Sequence, residues 1–361
     1  MEALQKRNFG LDLFRAIAII IVVKLHGSFL LKNTFLDKFP TISFIDGVDL
    51  FFVLSGFLIG GILLKDINSG APFGFTALTR FWKRRWFRTL PNYYLVLIAN
   101  YFLAYCGIIA DDIEKFNWKF FVFLQNFALP FSGFFWESWS LSIEEWFYIF
   151  SALSLLLFLR FLSPKTSFAL TILLMVVLPF LYRASILDTT ITDYEVYAST
   201  FRKVVLTRLD SIAYGLLAAW VFYYYPAYWK KFKAIALLTS LALVVFTLSY
   251  IPPYHTFYRQ VILFTLSPLA AMLLLPAAYS IKVNENKITK AIRHISKISY
   301  SMYLINLGLI ATVIRDNFAP QNETDSLLKY VLFWILVIGF STLLYEYFEK
   351  PMLKLRDKKL F

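Results

Sequence analysis

The residues best suited to chemistry lie in the first apolar segment, where an arginine and a histidine interrupt a run of aliphatic side chains. Arg15 and His26 are eleven residues apart, so on an α-helix they share one face and lie roughly 16 Å apart along the axis. Asp12 comes one helical turn before Arg15 on nearly the same face. Ionisable side chains within a membrane-spanning helix are costly and usually face a bundle interior or a water-filled cavity. The spacing therefore predicts a polar path that begins near one membrane surface and ends at a histidine deep in the bilayer.

His26 is the candidate catalytic residue, because imidazole exchanges protons near neutral pH. A carboxylate beside it would raise its basicity and fix its tautomer, as a general base requires. Asp49 in the second apolar span, and Glu144 and Glu145 in the fourth, are predicted near the outer surface at a similar depth. Neighbouring residues on a helix diverge by about 100°, so only one of the two glutamates can point at His26. The simpler alternatives are a histidine that hydrogen-bonds a neighbouring helix and acids that complement a helix dipole.

A second group of candidates alternates basic and aromatic residues, in the sequence Arg80-FWKRRWF-Arg88. Arg85 and Arg88 lie about one helical turn apart, and their planar guanidinium groups suit the phosphates of a cytoplasmic ligand. An amphipathic helix that anchors to the membrane surface explains the same residues equally simply. Glu349, at the end of the last apolar span, lies near the same depth. We group it and Asp12 with the arginines as candidate donor-site residues.

Other polar or small residues within the apolar spans receive structural interpretations. Gly56 and Gly60 in the second span permit close contact between helices. Arg208 and Asp210, at the outer start of the sixth span, are interpreted as a structural ion pair. Asn306 lies midway along the ninth span.

The composition indicates a membrane protein. Of 361 residues, 59% are hydrophobic and 19% aromatic, whereas soluble domains are nearer half apolar. Uninterrupted apolar stretches indicate an all-α polytopic bundle, since a membrane β-barrel would alternate apolar and polar residues. Cys106 is the single cysteine, which excludes an intramolecular disulfide and a cysteine metal site, and we expect no metal. Ten transmembrane spans are predicted, with limits good to a few residues: 11–31, 48–64, 92–110, 143–161, 167–184, 207–225, 234–252, 260–281, 299–315 and 328–348.

The distribution of basic residues determines the predicted orientation. With the N-terminus in the cytoplasm, the inner segments hold 23 basic residues and the outer segments hold 11. This excess follows the positive-inside rule and predicts that both termini are cytoplasmic. Topology and attraction to the lipid bilayer then explain the formal charge of +13, and no nucleic-acid partner is expected. The chain, 1–361, is interpreted as a single transmembrane domain with a cytoplasmic basic segment at 65–91 and no appended extracytoplasmic domain.

Several motifs together resemble the membrane-bound acyltransferase-3 family, and they occur in the family's order over nearly the whole chain. They are the Arg15…His26 pair, GVDLFFVLSGFLI, the Arg85-xx-Arg88 pair before Pro91 and Tyr93, WSLSIEEWFY, TRLDSIAYG, ISYSMYLIN and FEKP. One departure is Asn306, where many family members have a histidine in the motif SY-x-x-YLIH. Asparagine keeps a polar group but offers no base, so no catalytic role is carried over to Asn306.

The resemblance implies transfer of an acyl group, often acetyl, from cytoplasmic acyl-coenzyme A to an acceptor at or beyond the membrane, often a glycan. It implies that His26 is catalytic and that Arg15, Arg85 and Arg88 serve the donor. We expect His26 to deprotonate an acceptor hydroxyl, with a covalent acyl-histidine as the mechanistic variant. We expect the protein to be integral to the plasma membrane, which would be the inner membrane of a bacterium. Any extracytoplasmic partner that completes transfer would be a separate protein.

A transporter or flippase of a small acylated or anionic substrate is the competing hypothesis. Polar residues along a helix interior and a basic inner rim would also serve the passage of a substrate. Loops broken by glycine or proline in paired halves of the chain would favour it, and no such pairing is evident. The clustered ionisable residues disfavour an inactive membrane scaffold.

Overall fold

The computed structural model describes residues 8–32, 34–38, 46–70 and 72–359, and every regular element within these ranges is helical. The α-helices are α1 (Phe9–His26), α2 (Gly47–Ile67), α3 (Phe75–Tyr105), α4 (Ser138–Phe158), α5 (Pro164–Ser185), α6 (Tyr194–Tyr197), α7 (Leu209–Tyr224), α8 (Pro226–Lys231), α9 (Lys233–Ser249), α10 (Leu263–Tyr279), α11 (Lys287–Ile305), α12 (Thr312–Asn317), α13 (Glu323–Leu344) and α14 (Lys350–Lys359). Short 3₁₀ turns cover Ser28–Leu31, Phe35–Lys38, Ile113–Lys115 and Trp118–Phe121. Wider π-helical turns cover Ala198–Arg202, Tyr258–Ile262, Asn306–Ala311 and Tyr345–Glu349.

Six helical stretches in the described ranges are long and apolar enough to cross a membrane, which makes this a multi-pass membrane protein. They are Gly47–Ile67, Ser138–Phe158, Pro164–Ser185, Tyr258–Tyr279, Lys287–Asn317 and Glu323–Lys358. All ten predicted spans overlap a helix, but α1, α3, α7 and α9 fall outside this set. Charged residues in α1 and α3, and lengths of 16 and 17 residues for α7 and α9, account for the difference. The total of ten spans and the orientation of the termini stay predictions.

Side chains that precede the helices define where several of them begin. The carboxylate of Asp46 accepts a hydrogen bond from the Val48 backbone N–H at 2.9 Å, which caps α2. Asn286 and Thr289 form a reciprocal capping box at the start of α11. These caps satisfy backbone donors that would otherwise lack partners at the first turn of each helix.

The α13 helix illustrates how the bundle divides its inner and outer faces. Phe333 and Val337 are buried against the rest of the protein, whereas Leu328, Ile335 and Phe340 are more than half exposed. Exposed apolar side chains at this density suit contact with lipid tails rather than water. The outer face of α13 therefore fits a lipid-facing surface.

Helices α2 and α7 lie in direct backbone contact at the centre of the bundle. A Cβ atom added to Gly56 would overlap the carbonyl oxygen of Ile212, and one added to Gly215 would overlap that of Val53. Only glycine permits this approach, as the sequence predicted for Gly56. The close contact fixes the position of the first turn of α2, which carries Asp49.

Two buried ion pairs join this core to its neighbours. Asp49 pairs with Arg208 and also accepts a hydrogen bond from the Ser267 hydroxyl at 2.6 Å. Arg183 pairs with Asp210 at 2.7 Å, and both side chains are fully buried. The interpretation of Arg208 and Asp210 as partners of each other is wrong. Residues two apart on a helix diverge by about 200°, so each reaches a different neighbouring helix.

Candidate active site

Six of the nine predicted site residues line one of two cavities in the described part of the bundle. The smaller cavity, of about 110 Å³, is lined by all three predicted donor-site arginines. The larger cavity, of about 580 Å³, is lined by His26. Val48 and Tyr303 are the two residues that line both cavities. We call these the inner and the outer cavity, after the expected orientation of the chain.

The inner cavity gathers Arg15 from α1 with Arg85 and Arg88 from α3. A hydroxyl on α11 supports Arg15, because Ser296 Oγ accepts a hydrogen bond from it at 3.5 Å. The same hydroxyl donates to the buried carboxylate of Asp12 at 2.8 Å. Asp12 thus holds Arg15 through Ser296 and does not itself line the cavity.

Arg85 and Arg88 lack a carboxylate within 4.0 Å among the described residues. The buried arginines elsewhere in the bundle behave differently, since Arg183 and Arg208 each pair with an aspartate. Burial and then the charge of Arg88 lower the pKa of Arg85 to about 10, so it stays protonated at neutral pH. Two adjacent guanidinium groups at a cavity, neither in an ion pair with a described carboxylate, form a site that an anion would stabilise.

The two glutamates of α4 point to different places, and the structure brings neither to His26. Glu144 lines the inner cavity and accepts a hydrogen bond from Tyr148 Oη at 2.8 Å. Glu145 is buried and accepts from Thr89 Oγ1 at 2.7 Å. Both glutamates therefore lie near residues of α3, Glu144 in the cavity with Arg85 and Arg88 and Glu145 against Thr89.

Glu349, which with Asp12 was the predicted donor-site carboxylate pair, is buried and lines neither cavity. It accepts hydrogen bonds from Asn92 Nδ2 at 3.1 Å and from Ser301 Oγ at 2.8 Å. Its contacts join the π-helical turn Tyr345–Glu349 to α3 and α11. The structure therefore gives Glu349 a position that supports the inner cavity wall.

His26 ends α1, and its ring Nδ1 lies 2.6 Å from the side-chain oxygen of Asn306. The amide nitrogen of Asn306 donates to the backbone carbonyls of Met302 and Tyr303, each at 2.8 Å. These two bonds determine which side of the amide faces the imidazole, so Oδ1 must accept from His26. Nδ1 therefore carries the proton, and in the neutral ring Nε2 keeps a free lone pair.

The orienting group that the sequence analysis sought in a carboxylate is thus the amide of Asn306. Asn306 is the first residue of the π-helical turn Asn306–Ala311. Its amide contacts carbonyls of the preceding turn of α11, and that of Met302 also accepts the Asn306 backbone N–H. The motif comparison gave Asn306 no catalytic role, and its position indicates a role in positioning His26.

The rest of the outer cavity combines aromatic walls with paired charges. Asp49 lines it as the partner of Arg208, and Asp46 accepts a bond of 2.6 Å from Arg202. The guanidinium of Arg202 also lies 5.3 Å from the ring centroid of Trp139. Aromatic faces next to fixed polar groups are typical of sites that bind sugars or other mixed polar and apolar ligands.

Glu137, which the sequence analysis passed over, lines the outer cavity and is only 1% exposed. Oε1 accepts a hydrogen bond from the Gly308 backbone N–H at 2.7 Å, while Oε2 has no partner in the described ranges. Burial, and to a lesser extent the charge of Asp111, raises the pKa of Glu137 to about 8. The carboxyl group is thus held neutral at pH 7. Its position directly before α4, between Trp136 and Ser138, was the available sequence signal.

Comparisons with known proteins give one consistent class. A family model described as an acyltransferase domain matches residues 8–346. A Staphylococcus aureus (strain COL) protein provisionally named an O-acetyltransferase is 27% identical, over 96% of this chain and 57% of its own. The peptidoglycan O-acetyltransferase OatA of Listeria monocytogenes is 30% identical, over 83% of this chain and 49% of its own. No solved structure gives a significant match.

The chain spans about half the length of the curated relatives that it matches.

Proposed function

This chain belongs to the acyltransferase-3 family and is an acyltransferase, and on that premise we propose that it moves an acetyl group from cytoplasmic acyl-coenzyme A to a hydroxyl of a glycan at or across the membrane. The observation that carries the proposal is the pair of cavities. One is lined by Arg15, Arg85 and Arg88, and the other by His26, whose Nδ1 is held by Asn306 and whose Nε2 remains to act as a base. The names of the relatives, which include a peptidoglycan O-acetyltransferase, support acetyl transfer to a glycan-type acceptor.

In this proposal the inner cavity holds the donor. Arg85, Arg88 and Arg15 contact the nucleotide phosphates, where a charge-assisted guanidinium contact is strong and directional. The helix spacing of Arg15 and His26 corresponds to roughly 16 Å along α1, a gap that the long pantetheine arm can bridge. The thioester would thereby reach the outer cavity while the nucleotide stays on the cytoplasmic side.

His26 would supply the base. Its Nε2 removes the proton of the acceptor hydroxyl, and the acceptor oxygen attacks the thioester carbonyl carbon. The C–S bond then breaks, and the sulfur leaves with the proton from His26 as the coenzyme A thiol. The same Nε2 lone pair also suits attack on the thioester by His26 itself, which would form an acyl-histidine. A burst of coenzyme A release without acceptor would distinguish this variant.

The test uses purified protein in membrane vesicles with labelled acetyl-coenzyme A. We expect wild-type protein to release coenzyme A and to label a glycan acceptor, and His26→Ala to abolish both with unchanged donor affinity. Lys24→Ala is a matched control, because it removes a charge from the same helix outside both cavities. Near-wild-type transfer by correctly inserted His26→Ala protein would refute the catalytic assignment. Uptake of substrate without thioester cleavage would instead support the transporter hypothesis.

The orientation needs its own experiment, because the donor is available only in the cytoplasm. A cysteine placed at Asn322 should react with a membrane-impermeant thiol reagent in intact cells, and one placed at Asn286 should not. Both positions are exposed, at the starts of α13 and α11. The reverse labelling pattern would put Arg85 and Arg88 outside, where coenzyme A is absent, and would overturn the proposal.

A further inference from the structure

The inner and outer cavities meet at a junction formed by Val48 and Tyr303. If the proposed function is right, the acetyl thioester must reach this junction, because the arginines lie on one side of it and His26 on the other. Val48 offers only methyl groups there. The polar groups at the junction are the hydroxyl of Tyr303 and that of Ser140, which lines the inner cavity beside it.

These two hydroxyl groups carry two protons, and the hydrogen bond between them uses only one. Tyr303 Oη and Ser140 Oγ lie 2.6 Å apart and share one short hydrogen bond. The other acceptor in the described surroundings is the Glu137 backbone oxygen, 3.4 Å from Ser140 Oγ and 3.5 Å from Tyr303 Oη. Both distances are near the limit for a hydrogen bond. Whichever hydroxyl donates in the short bond, the other proton is weakly held and available to a better acceptor.

The backbone of Tyr303 is tied to the catalytic histidine. Its carbonyl accepts a hydrogen bond of 2.8 Å from the Asn306 amide, whose oxygen contacts His26. The Tyr303 ring packs edge-on against Phe51, with centroids 6.2 Å apart, and the residue is 7% exposed. The position of the Tyr303 side chain is therefore defined by ring packing against Phe51, by the hydrogen bond of its hydroxyl and by the hydrogen bond of its backbone carbonyl.

We propose that Tyr303, supported by Ser140, is a catalytic residue that donates a hydrogen bond to the carbonyl oxygen of the thioester during transfer. When the acceptor oxygen forms its bond to the carbonyl carbon, the C=O electron pair moves onto the oxygen. The Tyr303 hydroxyl stabilises that negative charge without losing its own proton. When the C–S bond breaks, the pair returns to the carbonyl, and the sulfur takes the proton that His26 removed. A preorganised donor at a developing oxyanion in a water-poor site is an effective source of rate acceleration.

The experiment compares Tyr303→Phe with the wild-type protein, using acetyl-coenzyme A as donor and the glycans of native membrane vesicles as acceptor. The substitution keeps the ring and its contact with Phe51 and removes only the hydroxyl. We expect the turnover number to fall by about 10²–10³-fold, the typical effect of losing one oxyanion donor. The KM for acetyl-coenzyme A and the thermal unfolding temperature should stay unchanged.

Tyr94→Phe is the matched control. Tyr94 lies on α3, lines neither cavity, and donates its hydroxyl to the Phe121 backbone oxygen at 2.7 Å. Its loss should leave the turnover number within about threefold of wild type. Ser140→Ala is the second test variant, expected to lower turnover by at least about tenfold because the Tyr303 hydroxyl loses its support.

The outcomes separate this inference from the proposed function. Suppose that the wild-type protein turns over and that Tyr303→Phe and Ser140→Ala do so at rates within threefold of it. This result would overturn the role of Tyr303 and leave the proposed reaction standing. Absence of turnover in the wild-type protein would overturn the reaction and this inference with it. An equal fall in turnover with Tyr94→Phe and Tyr303→Phe would show that the loss is not specific to the Tyr303 hydroxyl and would overturn its role in transfer.

Discussion

Removing the cavity arginines one at a time should weaken donor binding without weakening the fold. Arg85 and Arg88 line the inner cavity and lack a carboxylate within 4.0 Å in the described ranges, so neither forms an ion pair there. Glu144 attracts both arginines only from a longer distance. Each alanine substitution removes a charge-assisted phosphate contact of about 1.5–3 kcal/mol. At about 1.4 kcal/mol for each tenfold change, the Kd for acetyl-coenzyme A should rise by about 10- to 150-fold. Arg→Lys should restore only part of the loss, because the fork geometry is gone.

In the same Arg85→Ala and Arg88→Ala variants, the thermal unfolding temperature should stay unchanged or rise slightly. Two like charges close together repel each other, so deleting one relieves repulsion in the unliganded protein. Arg208→Ala provides the contrast, because it leaves Asp49 buried without its partner and should destabilise the bundle. Calorimetric titration and thermal unfolding on the same purified protein measure both quantities.

Two comparisons make the donor prediction specific. Arg84→Ala changes the adjacent arginine, which lies outside the inner cavity, and should leave the Kd for acetyl-coenzyme A within about twofold of wild type. Acetyl-pantetheine lacks the nucleotide phosphates, so Arg85→Ala and Arg88→Ala should bind it as the wild type does. Unchanged affinity for acetyl-coenzyme A in both alanine variants would refute the reasoning and return the segment to the role of a membrane anchor.

Three further predictions concern the outer cavity and the core. Asn306→Leu removes the acceptor that orients His26 and should lower turnover by at least about tenfold at unchanged donor affinity, within the roughly 10²–10⁴-fold that a general base contributes; a wild-type rate would contradict this. Because the folded protein holds the Glu137 proton up to about pH 8, while an unfolded chain releases it near pH 4.5, stability should fall as the pH rises through this window. Unfolding temperatures at pH 5 and pH 8 should therefore differ less in Glu137→Gln than in wild type, and an equal difference would count against the assignment. Gly215→Ala should lower stability by about 1–3 kcal/mol, whereas Gly339→Ala, with open space around its Cβ position, should not lower it, as thermal unfolding can check.

The sequence predicted the residues of the two cavities better than it predicted their partners. Helical spacing was enough to separate Arg15 from His26 along α1, because it depends only on the geometry of one helix. Charge and aromatic alternation singled out Arg85 and Arg88, which line the inner cavity. These inferences needed no knowledge of how one helix is rotated against another.

The partners of these residues depend on that rotation, and here the sequence was insufficient. Glu144 and Glu145 share the predicted depth of His26, but α4 turns them towards α3 and the inner cavity. Asn306 reaches His26 from a π-helical turn, and no periodicity of 3.6 residues can predict the register of such a turn. Glu137 lies outside the apolar spans, so reasoning restricted to the spans passed it over.

The ion pair between Asp49 and Arg208 also constrains how the protein is made. The two residues are 159 positions apart, so α2 leaves the ribosome long before its partner is synthesised. A lone aspartate in the apolar part of a bilayer costs up to about 2.5–3.5 kcal/mol on insertion scales, and during that interval α2 carries Asp49 without its cation. The backbone contact of Gly56 with α7 cannot form during that interval either, because α7 has not yet been synthesised. We therefore expect two stages of biogenesis, in which early helices enter the membrane individually and the polar centre closes only after α7 has been inserted.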